Sequence, residues 1–293
     1  MSFRIKQSES PDRAVRRICR ERIGKARARL RRDTKPAAIH GARKDIKKLR
    51  AIFRLVRDEI ADSDYQKGAR TLRAAAGCLA ASRDARVMAR AFEKVAGPSA
   101  GQFAVVERAL QKHVRRETRR FQRRDSLDRA ERLLRKAKRR VDKLHFATSG
   151  WAALEPGVRS SYRRGRQAFE KSSRETSPDN LHRWRKHVKD LWTYLRLLCP
   201  AWPAPVRDMT GDLNLLGNLL GDDHDLVLLQ DFIGKLRGGA AGEVAALNRL
   251  VELRQKKLRA AALKLGKRLY SENPSQFCRR LGACWNAWRG RHH

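Results

Sequence analysis

A histidine followed by arginine, lysine and lysine three, four and seven positions later acts as a unit only if the four side chains share a surface. This sequence carries that spacing twice. His40, Arg43, Lys44 and Lys47 stand in IHGARKDIKKLRAIFRL (Ile39 to Leu55), and His182, Arg185, Lys186 and Lys189 stand in LHRWRKHVKDLWTYLRL (Leu181 to Leu197), 142 residues later. The register continues beyond the motif: Leu49 matches Leu191, Arg54 matches Arg196, Leu55 matches Leu197, and Pro36 matches Pro178. At 100° per residue an α-helix gathers His40, Arg43, Lys44, Lys47 and Arg54 into one sector and turns Ala42, Ile46, Leu49, Phe53, Val56 and Ile60 to the opposite one. In the second copy His182, Arg185, Lys186, Lys189 and Arg196 likewise oppose Trp184, Val188, Leu191, Leu195 and Leu198. Each copy therefore reads as a helix with one apolar face for a core and one face of fixed positive charge, which calls for an anion along it.

The residue types fit phosphate. Arginine offers a planar fork that donates two bonds at once, and lysine serves as a point charge. A histidine among such cations has its pKa lowered, and a bound phosphate raises it again. His40 and His182 thus suit donors that become charged when the anion arrives; a packing role, or acid/base and phosphoryl-accepting catalysis, are the alternatives. Asp222, Asp223, His224 and Asp225 resemble a metal site on the surface. Asp84 is the only acid that the first half keeps at the matching positions, which favours a structural acid that orients a basic side chain, and no metal or cofactor is expected. Trp184, Trp192, Trp285 and Trp288 lie at helical spacing and read as core, not as platforms for nucleic-acid bases.

The 293 residues include 69 basic and 31 acidic side chains, a formal charge of +38, alongside 41% hydrophobic residues. That apolar fraction supports a real core, and the charge exceeds what solubility needs, so a polyanionic partner is expected. Cys19, Cys78, Cys199, Cys278 and Cys284 show no paired zinc spacing, and their odd number argues against a disulfide framework. With no apolar run approaching the roughly 20 residues of a membrane span and no apolar segment in Met1 to Glu21, a cytoplasmic protein without membrane insertion is expected.

Prolines and glycines divide the rest into helices. Ser10-Pro11 opens one running to about Arg31, with Ser10 as N-cap. After the first signature helix, a helical segment runs from Asp64 through Ser82-Arg83-Asp84 to Val95 and ends at Gly97 to Gly101. Gln102 to Arg124 follows, with a basic stripe of Lys112, Arg115, Arg116, Arg119, Arg120 and Arg123, then Ser126 to about Phe146. The second half repeats the order: Glu155-Pro156 to about Arg174, the second signature helix from Ser177-Pro178, a turn over Cys199 to Pro205, Val206 to Leu236, a break at Gly238 to Gly242, then Glu243 to Tyr270 and Pro274 to Trp288. No stretch has hairpin chemistry. The reading is all-α, ten or so helices in a single domain over 1–293, built as two pseudo-symmetric four-helix-bundle-like halves, 10–148 and 151–290, from an internal duplication, with a basic cleft between them.

The duplicated I/L-H-x-x-R-K-x-x-K-x-L, each copy followed after a turn by L-x-x-x-x-D (Leu220 to Asp225 in the second half), resembles the CHAD family, the conserved histidine α-helical domain. The resemblance covers about Pro11 to Trp288. It implies an all-α domain of two four-helix-bundle-like halves that binds inorganic polyphosphate in a basic cleft and associates with polyphosphate granules; that binding occurs without turnover is expected from the basic faces themselves. By position, the phosphate contacts are His40, Arg43, Lys44 and Lys47 with His182, Arg185, Lys186 and Lys189. The surrounding cations Arg50, Arg54, Lys112, Arg115, Arg116, Arg119, Arg196, Arg254 and Lys257 complete the candidate polyphosphate-binding set. The second copy departs from the first where Asp190 and Trp192 replace Lys48 and Arg50, which makes the two faces unequal. A nucleic acid is the competing polyanion, and an enzyme acting on phosphoanhydrides is the third reading; the basic faces lack the carboxylate-held metal or activated nucleophile that it needs.

Overall fold

The computed structural model describes residues 3–32, 36–79, 81–121, 125–236 and 241–290, and among them every regular element is helical. The α-helices are α1 (Pro11–Arg32), α2 (Pro36–Leu55), α3 (Asp62–Cys78), α4 (Ala81–Ala96), α5 (Ala104–Phe121), α6 (Asp125–Asp142), α7 (Glu155–Arg174), α8 (Pro178–Leu198), α9 (Pro203–Ile233), α10 (Ala241–Leu269) and α11 (Pro274–Gly290). The expected all-α class holds. Ser177 caps α8, its side chain accepting from the Asn180 N–H, with Pro178 in the first turn where a missing N–H costs nothing. The expected turn over Cys199 to Pro205 is shorter, because α9 already begins at Pro203 by the same rule. Ser10 does not cap through its side chain as expected; its hydroxyl donates to Asp12. The expected break at Gly97 to Gly101 is a 3₁₀ turn over Gly97–Phe103, entered through Gly97 at a φ of +48°. Of the matching break at Gly238 to Gly242, residues 237–240 lie outside the described residues.

The apolar faces read from the two copies are the ones that are buried. Ala42, Ile46, Leu49, Phe53, Val56 and Ile60 of the first, and Trp184, Val188, Leu191, Leu195 and Leu198 of the second, all enter one large core. Helices α1, α2, α3, α6, α7, α8 and the near ends of α9, α10 and α11 contribute to it. Burying a side chain of this size contributes roughly 1.5–3 kcal/mol. The helices approach closely where glycine permits. A Cβ on Gly157 of α7 would lie 1.9 Å from the carbonyl oxygen of Leu55, so only glycine lets α7 meet the end of α2.

A second, smaller core is made by partners far apart in sequence. Ala85, Met88 and Phe92 of α4 and Val106 and Leu110 of α5 pack with Leu226, Leu229 and Ile233 of α9 and Leu247, Val251 and Leu258 of α10. Glu243, at the start of α10, reaches across and accepts from the backbone N–H groups of Val105 (3.0 Å) and Val106 (3.1 Å), capping α5 from another helix. These N–H groups have no partner within α5, and a carboxylate there also meets the positive end of the helix dipole.

Candidate functional site

The packing of α4 against α9 and α10, with the start of α2 laid alongside, leaves a cleft of about 750 Å³. Its charged lining consists of His40 and Arg43 from α2, Arg86, Arg90 and Lys94 from α4, Arg254 from α10, and Asp222 and Asp225 from α9. Lys94 and Asp222 pair at 2.9 Å, which leaves the cationic side in excess. Asp223 points elsewhere: its buried carboxylate accepts from Arg259 at 2.6 Å and ties α9 to α10. Among the described residues no three His, Cys, Asp or Glu side chains converge as a metal site would need. Two acids of the Asp222 to Asp225 run, Asp222 and Asp223, hold basic side chains. Asp84 has its side chain outside the described residues.

From the cleft the basic surface continues along α2 onto α8. His182 lies against His224, ring centroids 4.4 Å apart. Burial lowers the pKa of His182 below its ordinary value, and Lys186, Arg185 and, from α2, Lys47 lower it further. Its Nδ1 is buried without a hydrogen-bond partner among the described residues. Lys189 is pulled down to about 8 by burial, by Arg185 and by Lys44 of α2. The two copies of the motif therefore act on each other: Lys47 and Lys44 of the first face His182 and Lys189 of the second. Like charges brought this close raise the free energy of the unliganded surface, and an anion between them removes that cost.

Small residues position these cations. A Cβ on Gly217 would sit 2.5 Å from Cε of Lys189, and one on Gly221 would sit 2.8 Å from Nη2 of Arg185. The two glycines, four apart on α9, form a trough in which two α8 side chains, also four apart, lie across the helix. In the first half the arrangement differs. There Leu79 ends α3, and the guanidinium of Arg43 donates to its carbonyl oxygen, so the arginine holds a helix break where its counterpart lies on a continuous helix.

Other members of the candidate set are placed apart from the cleft. Arg54 forms a two-pronged ion pair with Asp190, at 2.8 and 2.6 Å, and Arg50 lies half-buried beside Arg54 and Arg73. Arg196 lies over the rings of Phe3 and Trp192. Lys112, Arg115, Arg116 and Arg119 are exposed on α5, and Lys257 is exposed on α10; none of these five lines the cleft. Arg123 and the side chain of Arg120 lie outside the described residues. Arg86, Arg90 and Lys94 are cleft cations that the sequence reading missed, although their spacing of four along one helix was a usable signal. The tryptophans divide: Trp184 and Trp285 are core, whereas Trp192 and Trp288 are only partly buried.

A model of the CHAD domain matches residues 14–234 of this sequence. The chain belongs to the CHAD family. The match spans α1 to α9 and so includes both signature helices and the Leu220 to Asp225 run. A similar fold is seen in a solved structure, PptA from Streptomyces chartreusis, which superposes with a TM-score of 0.64 at 12% identity over 88% of this chain and 98% of that one. At that identity the likeness concerns the fold alone. No curated protein matches the sequence. Among the described residues of this CHAD chain, no helix is long and apolar enough to cross a membrane.

Proposed function

We propose that this chain binds inorganic polyphosphate along a basic surface that starts in the cleft between α2, α4, α9 and α10 and continues over both signature helices, and that binding without turnover is its activity. The observation that carries this reading is the convergence of the two copies, with Lys44 near Lys189 and Lys47 near His182, next to a cleft where Arg43, Arg86, Arg90 and Arg254 outnumber the acids. Membership of the CHAD family supports polyphosphate as the polyanion. A flexible chain of phosphates needs many donors spread over a long surface and no base-reading groups. Association with polyphosphate granules follows from the same surface if the polymer is the granule's own material.

The non-catalytic part rests on what the cations can do. They hold polymer and product alike, and uniform binding gives no acceleration. In-line transfer also requires an oriented nucleophile and a stabilised leaving oxygen. Of the cleft's acids, Asp222 is paired with Lys94.

The test is competition between polyphosphate and a DNA of equal charge, read by fluorescence anisotropy over a range of salt. Polyphosphate should displace DNA at every salt concentration, and its affinity should fall steeply with log salt, by analogy with slopes of about 0.7–0.9 per neutralised phosphate in nucleic acids. DNA winning the competition would make nucleic acid the ligand. Phosphate release that vanishes in a His40→Ala, His182→Ala double variant with intact binding would make the protein an enzyme.

A further inference from the structure

The places where α2 and α8 meet are equivalent in the repeat register, but one is charge-compensated and the other doubly positive. Arg54 and Arg196 hold the same repeat position, and so do Lys48 and Asp190. At one junction Arg54 grips Asp190 with two hydrogen bonds of 2.8 and 2.6 Å. At the other, the counterpart of that pair is Arg196 and Lys48, and the interaction is repulsive. A lysine stands where the matching junction keeps its carboxylate.

Among the described residues no acid makes up the difference. Asp45 is buried nearby, but Arg22 at 3.3 Å and Arg29 both pair with it. Neither Lys48 nor Arg196 forms an ion pair among the described residues. They rest on aromatic rings instead. The Lys48 Nζ lies 5.1 Å and the Arg196 Cζ 5.6 Å from the centroid of the buried Phe3 ring, and Arg196 is 4.7 Å and Lys189 5.3 Å from that of Trp192. A ring's negative face holds a cation in place without neutralising it. Burial, then Arg22, Arg196 and Lys44, pull Lys48 down to about 8 against the opposing pull of Asp45. The cluster is fixed in position, half exposed and short of negative charge. It is also continuous with the basic surface already described, because Lys44 acts on both Lys48 and Lys189, and Lys48 stands eight residues, roughly 12 Å of helix, beyond His40.

We propose that Lys48, Arg196 and Lys189, backed by Phe3 and Trp192, form a further phosphate subsite that takes the part of a polyphosphate chain extending past the cleft. The proposal rests on the polyphosphate reading given above. Phosphate oxygens supply here what Asp190 supplies at the matching junction, with the Arg196 guanidinium donating and the two ammonium groups flanking it. The rings lie beneath the cations, so they brace them and offer no platform to a base. The consequence is a dependence on length: a short chain fills the cleft alone, and a longer one gains the subsite through its tether to the first contacts.

Lys48→Asp gives this junction the charges of Arg54 and Asp190, and it separates the possibilities. The melting temperature should rise as Arg196 gains a partner. Affinity for long-chain polyphosphate should fall roughly tenfold and its slope against log salt should shrink by about one to two, while tripolyphosphate binding in the cleft is unchanged. Arg196→Gln, which removes the fork without adding an acid, should weaken long-chain binding in the same direction, and circular dichroism checks that both variants keep their helices. Long-chain affinity and salt slope equal to those of the unsubstituted chain in both variants would overturn the subsite and leave the polyphosphate reading standing. Failure of the unsubstituted chain to bind either polymer would overturn both.

Discussion

The imidazole of His182 on α8 lies against that of His224 on α9, ring centroids 4.4 Å apart, with cations of both signature helices around it. Burial, Lys186, Arg185 and Lys47 keep His182 below the ordinary histidine value of about 6.5. The free fold therefore favours the neutral ring, while the unfolded chain takes up the proton near pH 6.5. Below that pH the unliganded protein loses stability, because the unfolded state binds more protons.

A bound polyanion reverses the sign. Phosphate charge beside the ring raises its pKa, so binding takes up a proton in the window between the free and bound values. Affinity for polyphosphate should rise by up to about tenfold per pH unit as pH falls through that window. Titration calorimetry in buffers of differing ionisation enthalpy measures the uptake. His182→Asn should flatten the profile around the ordinary histidine value of about 6.5 without abolishing binding; an unchanged profile would remove His182 from the linkage.

Gly217 and Gly221 should show stability and affinity moving in opposite directions. Alanine gains up to about 1 kcal/mol per position in a helix interior. Its Cβ would also push the Lys189 stem and the Arg185 guanidinium out of their trough. The Gly217→Ala, Gly221→Ala variant should melt no lower than the parent and bind polyphosphate several-fold more weakly. Equal affinity would mean that the trough does not place these cations.

The pair of Arg54 and Asp190 should be asymmetric to mutation. Asp190 keeps 14% of its side-chain exposure and Arg54 keeps 36%. Arg54→Ala leaves a carboxylate largely shielded from water and should cost about 2 kcal/mol in urea unfolding. Asp190→Ala leaves an arginine that can turn to solvent and should cost less. A larger loss for Asp190→Ala would show that the arginine is the constrained partner.

Glu243 should matter to a helix that it does not belong to. Glu243→Ala removes the acceptor for the Val105 and Val106 N–H groups and should cost about 1 kcal/mol. Hydrogen exchange should accelerate at the start of α5 while α10 keeps its protection.

The two amphipathic faces of the signature helices were legible because each is a periodic pattern within one element: all eleven apolar residues read from the two copies are buried. What lay beyond reach is pairing between elements. Nothing in the spacing of α4 marks α9 as its neighbour, so Arg86, Arg90 and Lys94 were passed over although they line the same cleft as His40. Asp45 reads as one acid in a basic run, yet it is buried because α1 brings Arg22 and Arg29 to it. Phe3 gave no periodic signal at all, since it belongs to no helix. Its place is set by backbone contact, with the Ile5 N–H donating to the Leu197 carbonyl.

The smaller core also sets a timetable for synthesis. Its α4 and α5 side chains leave the ribosome early, while the last of their partners, Leu258, follows roughly 140 residues after the end of α5. At about 5–20 residues per second that is an interval of roughly 10–30 s. During it Met88, Phe92, Val106 and Leu110 have no lasting cover, and the N–H groups of Val105 and Val106 await Glu243. The first half of the nascent chain thus exposes this apolar surface until α10 has been made, and the cleft lined by α2, α4, α9 and α10 takes shape only then.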